Sequence, residues 1–186
     1  MIIALTGTDQ QAASDLAQQL ALLRTADSRR VLLVSSAQAP HTRRRHPYDD
    51  IVINACPGGD GSGALALSMA GVIVVLARPA DLRDRAQNAL LARIRHATDV
   101  NPGARVLVSI AHGTRELTPR EVGNILLFVA QMDSARLADR LVLDESGVYH
   151  TRHSVLAHAG EEDDEMMCAP EVRYLYRQVF HGAQPE

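Results

Sequence analysis

Lysine is absent: all 19 Lys+Arg positions are arginine. About ten lysines would be ordinary in a chain of 186 residues. Coding bias accounts for arginine on a surface, but bias is expected to spare a lysine that chemistry needs. The absence is therefore read as evidence against nucleotide hydrolysis. There a lysine's compact charge meets the terminal phosphates, and arginine's planar fork fits poorly. Tryptophan is also absent and aromatics make up only 3%, so the core has to be built from Leu, Val, Ile and Ala. Two cysteines, Cys56 and Cys168, stand far apart. That excludes a Cys-x-x-Cys motif, a disulfide framework and a zinc-ribbon spacing. No basic flank precedes a long apolar run at the N-terminus, so no signal peptide is read. The longest apolar stretch, Val72 to Ala77, is too short to cross a bilayer. With a net charge of -3 there is no global basic footprint for nucleic acid or an anionic membrane, and either contact needs a local patch. A soluble cytoplasmic protein is the expectation.

What is present is a globular composition, 46% hydrophobic, in a length suited to one domain spanning residues 1–186. Strands are expected at Ile2–Leu5, Val31–Ser35, Ile51–Asn54, Val72–Ala77, Arg105–Ile110 and Arg140–Leu143. Several are apolar without alternation, as in parallel strands covered on both faces. Between them run helical stripes. One is Ala13, Leu16, Ala17, Leu20 and Leu23; another is Leu82, Ala86, Ala89, Leu90, Ile94 and Ala97. Thr118-Pro119-Arg120-Glu121 combines a capping box with proline at the first helical position, and Val122, Ile125, Leu126 and Val129 are expected to be the buried face behind it. Glu171–Phe180 reads as a closing helix. Alternating strands and helices imply a doubly wound, mainly parallel α/β sheet flanked by helices.

Four segments carry a resemblance. A strand at Ile2–Leu5 leads through Thr6-Gly7-Thr8 into a helix at Asp9–Leu23. A second strand is followed by Ser35-Ser36-Ala37-Gln38. Tyr48-Asp49-Asp50-Ile51-Val52-Ile53-Asn54-Ala55 is an apolar strand opened by acids, and Val72–Ala77 runs into Arg78-Pro79-Ala80-Asp81-Leu82. Over roughly two-thirds of the chain this resembles the ParA/MinD family of deviant Walker ATPases, which position plasmids, chromosomes and cell-pole machinery. The resemblance implies a P-loop NTPase-like fold. The family loop has the form K-G-G-x-G-K-[ST]; here Gly7, Thr8, Asp9, Gln10, Gln11 and Ala12 stand in its place, with Gln11 at the lysine and Ala12 at the Mg-binding hydroxyl. Asp9 would repel phosphate, and Thr8-x-x-Gln11 reads as a capping box. Ser35 and Ser36 stand where the family has an acid, and Asn54 stands at its Walker B aspartate. Asn is a poor magnesium ligand. Losing lysine, hydroxyl and acid together removes the usual means of stabilising phosphoryl transfer, so no catalytic residue, no metal and no cofactor are expected, ATP and magnesium being disfavoured.

Other candidates come from the residues themselves. Gly58, Gly59, Gly61, Ser62 and Gly63 follow a strand and open a helix, so they offer an anion loop or a plain flexible turn. Cys56 at the end of that strand is expected to be a buried or half-buried thiol. His150, His153 and His158, with Glu161 to Glu165 and Cys168 beyond, match no zinc spacing. A partner or DNA surface is read at Arg43, Arg44 and Arg45, at Arg83, Arg85, Arg93 and Arg95 opposite the apolar stripe of their helix, and at Leu127 and Phe128 off the core face. The expected function is a non-hydrolysing, ParA/MinD-like pseudo-ATPase. It would act as a scaffold or regulatory partner, recruited to a cell pole, membrane complex or DNA locus. The alternatives are a module that holds ATP without turnover and dimerises, and an enzyme of another class on the same fold.

Overall fold

The apolar run at the start becomes the central strand β1 (Ile2–Gly7) of a computed structural model that describes residues 1–34, 48–56, 62–82, 85–111, 117–132, 134–138, 141–143, 149–151 and 170–182. The chain continues through α1 (Gln10–Ala26), β2 (Val31–Val34), β3 (Asp50–Asn54), α2 (Ser62–Met69) and β4 (Val72–Ala77). A single 3-10 turn at Pro79–Asp81 leads to α3 (Arg85–Val100), β5 (Arg105–Ile110) and α4 (Pro119–Ala130). Then come β6 (Ala135–Leu137), β7 (Leu141–Leu143), β8 (Tyr149–Thr151) and α5 (Pro170–His181). The first six strands form one parallel sheet in the order β2-β3-β1-β4-β5-β6. This is the doubly wound α/β architecture expected from the sequence.

Each face of that sheet carries its own core. Leu16, Ala17 and Leu20 of α1 and Leu175 and Val179 of α5 pack on Ile3, Leu5, Val72 and Val74. On the opposite face, Leu67 of α2, Leu90, Leu91 and Ile94 of α3, and Val122, Ile125 and Phe128 of α4 pack on Ala4, Ile73, Val75, Val106 and Val108. Cover on both faces is why β4 is buried at all six positions and shows no alternation. At the amino end, Arg24 of α1 donates from Nε to Asp50 at 2.6 Å and lies over the Phe180 ring. Tyr176 donates to Asp27. These contacts tie α1, β3 and α5 together.

Two expectations change. The sixth strand of the sheet is Ala135–Leu137, not Arg140–Leu143; Leu141–Leu143 pairs antiparallel with Tyr149–Thr151 instead. Its three residues are too few to carry a hydrophobic period, and they pair because β5 presents an open edge. In α4 the capping box forms as expected, with Glu121 N donating to Thr118 Oγ1 at 3.3 Å and Thr118 N donating to Glu121 Oε2 at 2.9 Å. Its buried face, however, is Val122, Ile125 and Phe128, while Leu126 is 51% exposed. Phe128, expected off the core, is fully buried.

Candidate functional site

The connections decide where a site can lie. From β1 the chain steps outward to β2 and returns to β3, whereas from β4 it proceeds the other way to β5 and β6. The first crossover covers one face with α1, and those after β3 and β4 cover the other with α2 and α3. The carboxyl ends of β1 and β4 therefore flank a topological switch point, where α/β sheets form their binding crevice.

Close backbone packing shapes this edge. A Cβ on Gly7, at the end of β1, would lie 2.6 Å from the Leu76 carbonyl oxygen of β4. A Cβ on Gly63, in the first turn of α2, would lie 2.8 Å from the Ala55 oxygen. Both positions need glycine because the neighbouring main chain fills the space. Gly7 thus serves strand packing, and Gly63 holds α2 against the end of β3.

Asp9 is the N-cap of α1. Its Oδ1 accepts from Gln11 N at 2.9 Å and from Ala12 N at 3.1 Å, and its other oxygen is paired with Arg78, which follows β4. The cap is therefore Asp9 rather than the expected Thr8. Both residues can cap, and the carboxylate prevails because it meets two N–H groups and a guanidinium at once. Gln11, expected at the family's lysine position, donates through Nε2 to Asp15 at 2.8 Å, along its own helix. The dipole end that would attract an external anion already holds an internal one.

Asn54, expected at the family's Walker B position, is buried, and its Oδ1 accepts from Cys56 N at 3.2 Å. It shapes the turn after β3, as Asn does when it bonds the backbone two residues on. Cys56 is a buried thiol, as expected, with Sγ 3.9 Å from the Gly7 oxygen. Burial pushes its pKa up, against the smaller opposing pulls of that carbonyl and of Arg93. It is a thiol, not a ready thiolate nucleophile.

Arg93 departs furthest from expectation. Placed on an outer face by its position in the stripe, it is half-buried and reaches from α3 to the ends of β1 and β3. Its Nη2 donates to Thr6 Oγ1 at 2.9 Å and to the Ala55 oxygen at 2.7 Å. Long arginine stems bury readily where a head finds acceptors, and the apolar flanks Leu90, Ile94 and Ala97 were the local signal for it. Arg78 was overlooked because a turn arginine has no periodicity to mark it.

The remaining candidates separate. Arg95 is exposed and donates to the Gln131 carbonyl at 3.0 Å. Leu127 is 65% exposed on α4, next to the exposed Leu126. Arg85 begins α3 and Ser62 begins α2. Ser35, Ser36, Arg43, Arg44, Arg45, Gly58, Gly59, Gly61 and Arg83 lie outside the described residues, as do His153, His158, Glu161 to Glu165 and Cys168. His150 falls in β8. Among the described residues no three His, Cys, Asp or Glu side chains gather as metal ligands, and no helix is long and apolar enough to cross a membrane.

No protein-family model and no curated protein matches the chain. Among solved structures it is similar to cobyrinic acid a,c-diamide synthase from Mycobacterium smegmatis, with bound ADP and magnesium. The two share 14% identity with a TM-score of 0.48, over 72% of this chain and 84% of that one. The likeness is one of fold. That structure holds ADP and magnesium, against the expectation for this chain of no cofactor, with ATP and magnesium disfavoured.

Proposed function

We propose that residues 1–186 form one ParA/MinD-like domain that does not hydrolyse nucleotide and works as a scaffold or regulatory partner of a larger assembly. The observation that carries this reading is the Asp9 carboxylate on the start of α1, bonded to two backbone N–H groups and paired with Arg78. Phosphoryl transfer needs positive groups aimed at the developing charge. Here the start of α1, after the end of β1, carries a negative one. Gln11 and Asn54, at the lysine and Walker B positions, spend their side chains on local bonds. Support for a partner comes from the adjacent, exposed Leu126 and Leu127, because an apolar pair off the core gains by being covered.

Phosphate release from Mg·ATP tests the catalytic half. The purified chain releases none above a blank, and turnover near the ordinary enzyme range of about 1 per second overturns the reading. For the contact half, Leu127→Arg keeps the melting temperature while the tagged chain loses its co-purifying partner. Retention of that partner at equal yield removes Leu127 from the contact.

A further inference from the structure

At Arg93 the charges of the molecule do not close. Both of its hydrogen bonds to described residues come from Nη2, and both go to neutral oxygens, Thr6 Oγ1 and the Ala55 carbonyl. Among the described residues the ion pairs join Asp9, Asp27, Asp49 and Asp50 to other cations, so no carboxylate balances Arg93. A buried lysine can lose its proton and become neutral; a guanidinium cannot. Burial pushes the Arg93 pKa down, as it does for a cation taken from water without a counter-ion. The charge nevertheless remains.

The surroundings add to it. The carbonyl gripped by Arg93, Ala55 O, is the one against which Gly63 of α2 is pressed. The guanidinium therefore lies beside the first turn of α2, the positive end of that helix. Arg93 is half-buried, and among the described residues none of its nitrogens is both buried and without a hydrogen-bond partner, so the N–H groups on Nε and Nη1 remain open to a small ligand. On the other side of β1 the balance is already made, with Asp9 on α1 and Arg78 on Asp9.

We propose that Arg93 anchors a binding site for a small oxyanion on the α2–α3 side of the carboxyl edge, and that the anion binds without a divalent cation. The ligand group is a carboxylate or a phosphate, since both present the planar or tetrahedral oxygens that a guanidinium holds by charge-assisted bonds. A metal is not needed because the fixed positive charge is already present. The inference does not rest on the scaffold reading, and phosphate release from Mg·ATP can be absent whether or not this site exists.

The test is titration of the full chain in EDTA with inorganic phosphate, ADP and citrate, followed by calorimetry and thermal shift. At least one probe binds saturably and raises the melting temperature. The pattern across the three distinguishes a phosphate from a carboxylate ligand. Arg93→Gln weakens that binding tenfold or more, while Arg78→Gln leaves it within about twofold. Should Arg93→Gln fail to fold, Arg93→Lys keeps the charge and stem but loses the second donor arm, and lowers affinity severalfold. The proposal is overturned if none of the three probes binds in EDTA, if binding requires added magnesium, if the Arg93 variants bind like the parent, or if Arg78→Gln is the variant that abolishes binding.

Discussion

Asp9→Ala removes a carboxylate oxygen shared by Gln11 N at 2.9 Å and Ala12 N at 3.1 Å, and it leaves Arg78 unpaired. Loss of an N-cap acceptor costs about 1 kcal/mol. The Arg78 side chain is 50% exposed, so solvent screening holds the ion pair to less than about 1 kcal/mol. Together these give a loss of about 1.5 kcal/mol, which in a domain of this size lowers Tm by roughly 3–6 °C. Asp9→Asn keeps the cap acceptor and gives up only the charge, so its loss is less than half as large. Arg78→Ala costs no more than the ion pair, and the double variant falls short of the summed single losses by the pair's coupling. Circular-dichroism melts of the four proteins measure all of these, and added salt removes most of the Asp9→Asn effect but only the smaller, ion-pair share of the Asp9→Ala one. A Tm for Asp9→Ala within a degree of the parent refutes the argument, because the carboxylate would then not be closing the start of α1.

Asp50 provides a pH prediction. Burial alone pushes its carboxyl up, but hydrogen bonds and charge from Arg24 and the Met1 amino group outweigh burial and hold it below the ordinary value. A depressed pKa contributes stability that is present above the unfolded carboxylate value of about 3.9 and is lost as pH falls through the folded one. Urea midpoints therefore drop below about pH 4. Asp50→Asn flattens that drop and costs about 1–3 kcal/mol at pH 7, because Arg24 loses its nearest carboxylate and keeps only the more distant Asp27; an unchanged pH profile would assign the acid sensitivity elsewhere. In α4, Phe128→Ala costs about 3–5 kcal/mol by opening a cavity, while Leu127→Ala stays within about 0.5 kcal/mol. A Phe128→Ala loss as small as that of Leu127→Ala in denaturant unfolding would mean that the helix is phased as its sequence stripe suggested, with Phe128 off the core.

The alternation of strands and helices was legible because its signals are local. Val72–Ala77 is a continuous apolar run, and Thr118-Pro119-Arg120-Glu121 is a cap whose hydrogen bonds form within four consecutive residues. The face of α4 was not legible, since Leu126 and Phe128 are both large and apolar and only the neighbouring elements select between them. The partner of β5 was missed for a related reason: Ala135-Arg136-Leu137 is a strand by pairing rather than by composition. At the candidate site, the sequence singled out Gln11, Ala12 and Asn54 but not the side-chain bonds of Gln11 to Asp15 and of Asn54 to the Cys56 N–H.

Residue order by itself determined the layered parallel architecture, through apolar runs sized for strands and stripes spaced for helices, and it determined that no lysine could serve any site. Tertiary structure alone decided that Arg78, 69 positions from Asp9 in the chain, closes the start of α1 and that Arg93 turns inward to Thr6 and Ala55. An arginine's partners depend on which distant oxygens the crossovers bring within reach of its long stem, and local sequence does not say which oxygens those are.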